Sequence, residues 1–283
     1  MPWQLLLLIS IISYSVSILL QRVLIKNNKD PMGFAILFQV FTALIIGVFA
    51  VFAGFHIPNI SPFFWNFLLS VVIYTLANIC VFQSLSRIEA SQFTILFVTR
   101  GVWTIIAAAF FLGETFSFLH ILGTLLILFS VFLISYKKSG FHVGKGSLYG
   151  LAAGFLFGVG YVNDAYIVKF FSSPITYSFL DFFVPSVVLL FIYRTSVTKH
   201  ISQFVKPSVM GKLLLLCLLY AVFGITILLS YKYGGTASQI GAISQSTTIV
   251  IVLLAIIFLK ETTSLAKKLF ASIIAFIGVL LLR

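Results

Sequence analysis

Apolar residues in this chain run on in long blocks rather than alternating or marking one helix face, and polar residues punctuate the blocks at short intervals. Read as helices, the blocks cover residues 3–25, a segment opening at 31, 65–86, 92–112, 118–136, 147–169, 174–194, 209–230, 237–259 and 264–282. Each can cross a hydrocarbon core of about 30 Å, for which about 20 residues suffice. In helices this apolar the informative positions are the polar ones, because a polar group facing lipid has nothing to bond.

Taken in order, those positions form a short series. Ser10, Tyr14, Ser17 and Gln21 recur at helical spacing on the first helix and predict either packing hydroxyls or a cavity wall. Asp30-Pro31 opens the second helix as a cap followed by a first-turn proline, and Gln39 and Thr42 lie on that helix one turn apart. Tyr74 and Asn78 share a face of the third. Arg100 stands in mid-helix on the fourth, where an arginine costs roughly 2.5 to 3.5 kcal/mol by insertion scales. It serves either an anionic ligand group in a wet cavity or an ion pair with a buried acid. Trp103, one turn on, is placed to stack on a ligand or to pack.

Gly150, Gly154 and Gly158 form a small-residue ridge on the sixth helix, followed by Tyr161 and Asp164. Tyr177, Asp181 and Pro185 recur at intervals of four on the seventh. The ninth is the most polar, with Gln239, Ser244, Gln245, Ser246, Thr247 and Thr248. The fifth and tenth are almost featureless and read as peripheral.

The pattern occurs twice. Shifting the chain by 147 positions lays Ala90-Ser91-Gln92 on Ala237-Ser238-Gln239, Glu114-Thr115 on Glu261-Thr262, Ser117 on Ser264 and Leu133 on Leu280. A shift of 143 lays Lys26 and Pro31 on Lys169 and Pro174, and pairs Gln21 with Asp164. Residues 1–136 and 147–283 are thus two repeats joined by a basic connector, 137–146. Glu114 and Glu261, at the same place in each, are expected to cap the helix that follows.

Composition agrees. The chain is 61% hydrophobic and 8% charged, against about 25% charged in soluble domains. A net charge of +12 therefore belongs to loops at an anionic membrane face rather than to nucleic acid binding. Cys80 and Cys217 lie in apolar segments and read as packing residues. Of the Lys and Arg, 14 fall in one set of alternate connectors and 3 at the termini and the other connectors, which places both termini outside the cytoplasm. Gly144-Lys145-Gly146-Ser147 lacks phosphate-loop spacing, and neither HExxH nor GxSxG is present, so neither nucleotide nor enzyme chemistry is indicated.

Two five-helix repeats, each with a Gly/Lys-Glu turn before a final helix of the type Ile277-Gly278-Val279-Leu280-Leu281, resemble the EamA-type family of the drug/metabolite transporter superfamily. Lys260 before Glu261, Phe270 opposite Gly123, and Arg100 where the family often has proline depart from its pattern. The resemblance implies an all-α polytopic membrane protein of ten transmembrane helices in two inverted five-helix repeats. It also implies alternating access to a central cavity, and termini inside the cytoplasm, against the loop charges. The expected activity is secondary transport of a small polar metabolite, an amino acid or related anionic or zwitterionic compound, across the inner or plasma membrane. An organic-cation or multidrug exporter and a non-transporting scaffold are the alternatives. Arg100, Gln39, Asn78, Tyr74, Trp103, Gln245, Thr248 and Tyr177 are the candidate substrate contacts, and Asp164 and Asp181 the candidate proton carriers. No cofactor, metal or nucleic acid is expected; lipid surrounds the chain, and a homodimer is open to it.

Overall fold

A computed structural model of the protein describes residues 3–26, 30–112, 117–137, 140–141, 143–195, 206–233, 246–261 and 263–281. Its helices are α1 (Trp3–Lys26), α2 (Pro31–Phe52), α3 (Phe64–Arg87), α4 (Ala90–Phe97), α5 (Arg100–Leu112), α6 (Phe118–Ser135), α7 (Lys145–Ile167), α8 (Pro174–Ile192), α9 (Pro207–Lys232), α10 (Thr247–Leu259) and α11 (Leu265–Leu281). Single 3₁₀ turns precede α3 and follow α7. The basic connector holds a two-residue β-hairpin, Tyr136–Lys137 against Gly140–Phe141, which the sequence reading did not anticipate. Among the described residues six helices are long and apolar enough to cross a membrane, by length and composition.

The helices pack in pairs. α1 lies against α9 and α3 against α7. α2 packs on α8 and α6 on α11. The interior between α1, α2, α3 and α9 is aromatic, with Phe34 and Phe38 edge-on to Phe82 and Phe38 edge-on to Tyr220. α6 and α11 are peripheral as expected: Phe118, Leu125, Phe132, Phe270 and Ile273 all face outward. Asp30 caps α2 as predicted, its carboxylate accepting from the N–H groups of Met32 at 3.1 Å and Gly33 at 3.0 Å.

The fourth predicted helix is not continuous. It starts at Ala90 and breaks at Val98-Thr99, so that Arg100 opens a second segment rather than sitting in mid-helix. At the break, bonds three residues back replace the helical ladder. Thr99 gives both its hydroxyl (2.8 Å) and its N–H (3.3 Å) to the Leu96 carbonyl, and Gly101 N–H reaches Val98 at 3.0 Å. The glycine ridge of α7 lies against this break. A Cβ on Gly154 would stand 2.5 Å from Thr99 Oγ1, and one on Gly158 would stand 2.6 Å from the Arg100 carbonyl oxygen.

The two halves are also joined by charge. The Glu261 carboxylate accepts from the N–H groups of Ala90 (3.0 Å) and Ser91 (3.1 Å) and from the Ser91 hydroxyl (2.5 Å). It therefore caps α4, 170 residues away, and not the helix that follows it; Glu114 lies outside the described residues. Lys268, 3% exposed, is ion-paired with Glu89 and donates to the Glu261 carbonyl at 3.0 Å. Arg22, also buried, donates to the Leu85 carbonyl. Of the 14 basic residues counted by side, Arg22 and Lys268 are therefore interior, which leaves 12 against 3. Lys260, which replaces glycine before Glu261, takes the left-handed conformation (φ 53°) that a helix C-terminus asks of glycine.

Gly158→Ala should lower the melting temperature of the purified protein, because overpacking against backbone typically costs 1–3 kcal/mol. Gly211→Ala on α9 meets nothing within 4 Å, and its melting temperature should hold or rise.

Candidate functional site

Arg100 is held by rings. Its guanidinium lies 4.8 Å from the centre of the Phe97 ring, one turn back across the break, and 5.7 Å from that of Tyr161 on α7. Its Nη1 donates to the Tyr161 hydroxyl at 3.3 Å. Among the described residues no carboxylate comes within 4 Å of it; the ion pair they form is Lys268–Glu89. The glycine ridge sets this geometry, because only a close approach of α7 brings Tyr161 to the first residue of α5.

The cavity in front of Arg100 lies between the two halves of the chain. Tyr14 and Gln21 come from α1, Phe38 from α2, Asn78 and Phe82 from α3, Phe93 and Phe97 from α4, Phe157 and Tyr161 from α7, and Tyr220 and Phe223 from α9. Nine of its 14 lining residues are aromatic. A side lobe sharing Tyr14, Phe97 and Arg100 is lined by Thr94, Thr247 and Thr248. The free space is about 30 Å³, room for about two waters. This conformation is contracted, and a metabolite enters only if the helices or the rings move.

A second polar centre lies on the far side of Tyr161. Asp164, one turn along α7, accepts from Tyr74 of α3, from Tyr177 of α8 at 2.5 Å and from Ser70 at 3.4 Å. Asn163 donates to Ser70 Oγ at 2.7 Å and to the Asn66 carbonyl at 2.9 Å, and accepts from the Asn66 amide at 2.8 Å. The carboxylate is thus satisfied by hydroxyls alone. On α8, the Asp181 Oδ1 atom is buried with no hydrogen-bond partner.

The model of the EamA-like transporter family matches residues 1–136 and 144–283. The chain belongs to the EamA-like transporter family. That family lies in the drug/metabolite transporter superfamily, its members are transporters rather than enzymes, and its fold is a polytopic membrane one, in keeping with the predominantly helical described residues. No curated protein matches the sequence. Among solved structures 22 chains match, and one crystal structure aligns with a TM-score of 0.63 at 13% identity, over 98% of this chain and 95% of its own. At that identity the likeness concerns the fold alone.

In this EamA-like transporter the predicted contacts separate into groups. Arg100 and Asn78 line the main cavity and Thr248 the side lobe. Asn78 finds the partner it needs in the Tyr74 carbonyl, at 2.7 Å. Tyr74 and Tyr177 are turned to Asp164 instead of the cavity. Gln39 is buried with its Oε1 unpartnered but is not on the cavity wall. Trp103 faces outward, 36% exposed, edge-on to Phe155 at 5.0 Å, and takes no part in the cavity. Gln245 and the other polar residues up to it on the ninth predicted helix lie outside the described residues. The stripe on α1 divides: Tyr14 and Gln21 reach the cavity, while Ser10 bonds the Phe223 carbonyl at 3.3 Å and Ser17 the Ser13 carbonyl at 2.7 Å.

Sequence reasoning did not assign Phe97, Phe157, Tyr161 and Tyr220 to the cavity. For Tyr161 a signal existed, its place one turn before Asp164 beyond the glycine ridge. Phe97, Phe157 and Tyr220 carried none in a chain with 32 phenylalanines. Since Trp103 stacks outside the cavity, Trp103→Leu should leave substrate flux in vesicles within about twofold of the parent, in line with an ordinary surface substitution.

Proposed function

We propose that this chain is a secondary-active transporter that carries a small metabolite with an anionic or zwitterionic group across the inner or plasma membrane by alternating access, with Arg100 as the anchor. The observation that carries this reading is a guanidinium facing a cavity between the two halves with no acid beside it among the described residues. A charge at that depth is costly unless something neutralises it, and the substrate is the remaining source of an anion. The positive end of α5, which Arg100 opens, adds potential of the same sign.

Several features support the mechanism. Residues 1–136 and 147–283 act as the two five-helix units, inverted relative to each other because each has an odd number of spans. The contacts of α1 on α9 and of α3 on α7 suit two units that rock about a shared cavity. A contracted cavity suits an occluded stage of such a cycle. Asp164, and with it Asp181, is the proposed site of a coupling proton. It lies on a membrane helix without a basic partner among the described residues, held by hydroxyls that can follow either protonation state. Lipid and the substrate are the proposed partners.

Arg100→Gln should reduce flux in proteoliposomes by at least tenfold while the protein stays folded, and Arg100→Lys should recover part of it. Loss of folded protein in both variants would mean instead that Arg100 serves structure. For Asp164→Asn, an imposed pH gradient should no longer accelerate transport, while exchange without a gradient persists. An unchanged response to the gradient would remove Asp164 from the coupling role.

A further inference from the structure

We propose that the ligand of the central cavity is a small aromatic carboxylate with a hydrogen-bond donor beside its carboxylate, as an α-ammonium group provides. The inference rests on the reading of Arg100 as the anion anchor and adds the chemistry of the rest of the molecule.

Three observations converge on it. First, the Arg100 guanidinium lies over two rings, 4.8 Å from the centre of Phe97 and 5.7 Å from that of Tyr161. It carries more N–H donors than the one given to the Tyr161 hydroxyl, and a carboxylate accepts two at once. Second, Gln21 on the same cavity wall is only 2% exposed, and its Oε1 has no hydrogen-bond partner. A buried acceptor left unmet is unfavourable, and a donor on the ligand meets it. Third, the remaining wall is rings arranged at stacking distances. Tyr14 lies 4.7 Å from Phe223, and Phe38 stands edge-on to Tyr220 at 5.1 Å. Another ring at 4.5–7 Å joins such a set favourably.

The same wall disfavours other classes. A sugar or phosphate needs several donors and acceptors, yet nine of the 14 lining residues are aromatic, and one Asn78 N–H is spent on the Tyr74 carbonyl. An organic cation would compete with Arg100 for the ring faces and be repelled by it.

The test is binding to the full-length protein purified in detergent, read by thermal shift and calorimetry with L-phenylalanine, 3-phenylpropionate, L-alanine, L-glutamate and tetraethylammonium. L-Phenylalanine should bind at least tenfold more tightly than L-alanine. It should also exceed 3-phenylpropionate, which lacks the ammonium, by about tenfold, the size of one hydrogen bond to a charged donor. That second gap should close in Gln21→Leu, and the first should shrink in Phe157→Leu. Phe223→Leu provides the same reading should Phe157→Leu not fold.

If L-alanine or L-glutamate binds as tightly as L-phenylalanine and Arg100→Gln abolishes it, the aromatic assignment is overturned and Arg100 remains the anchor. If no carboxylate binds in an Arg100-dependent way and tetraethylammonium does, both readings fall. If the gap between L-phenylalanine and 3-phenylpropionate survives Gln21→Leu, the assignment of the donor to Gln21 is wrong.

Discussion

The constraint on which this structure depends is the cost of a charge in hydrocarbon. Removing a charge from water costs several kcal/mol unless opposite charge and hydrogen bonds replace the solvent. Lys268 meets that cost with Glu89 and the Glu261 carbonyl, Glu261 with the open N–H groups of α4, and Arg22 with the Leu85 carbonyl. These contacts tie the end of α1, the α3–α4 turn and the α10–α11 turn into one knot on the side where the basic loops gather. It is there that the second half of the chain holds the first, so an interaction that looks like local capping is also a cross-link between the two halves. Arg100 lies outside this pattern, since rings and a hydroxyl hold it while no carboxylate among the described residues answers its charge.

Its position follows from the glycines of α7. With no Cβ at Gly154 and Gly158, α7 approaches to within contact of backbone at Phe97, Arg100 and Thr104 and of the Thr99 hydroxyl. The Thr104 hydroxyl is shared there between the carbonyls of Arg100 (2.9 Å) and Gly158 (3.2 Å). The break at Val98-Thr99 thus sits in a dense backbone crossing, where Thr99 bonds back to Leu96 and can do without its usual helical acceptor. A broken helix at membrane depth is tolerated where protein covers it or where it lines a cavity. Both hold at this break.

Much of this was legible in the sequence, because lengths, caps and small-residue ridges act locally. The limits of most helices, the broken fourth and the partly described ninth apart, the Asp30 cap, the close approach at Gly154 and Gly158 and the outlying α6 and α11 all follow from residues within a turn or two of one another. What was not legible depends on distant partners. Nothing near Glu261 marks it as the cap of Ala90 and Ser91, and the obvious reading gave it to the next helix. The break at Val98 contains no proline to announce it. The cavity wall is built from phenylalanine and tyrosine, the residues that also fill the interior, so only the fold separates Phe97 and Phe157, which face Arg100, from Trp103, which faces away.

The two polar centres are mechanically connected. α7 carries Tyr161, which bonds Arg100, and Asp164, three residues later on nearly the same face. α3 carries Asn78 on the cavity wall and Tyr74 at Asp164, joined by the bond from the Asn78 amide to the Tyr74 carbonyl. A helix transmits rotation over one turn with little loss, so a movement of α7 that frees Tyr161 from Arg100 also displaces Asp164 from its hydroxyls. On the proposed mechanism, that shared lever is how occupancy at Arg100 bears on the charge state at Asp164. Differential contacts in two arrangements are what such coupling requires.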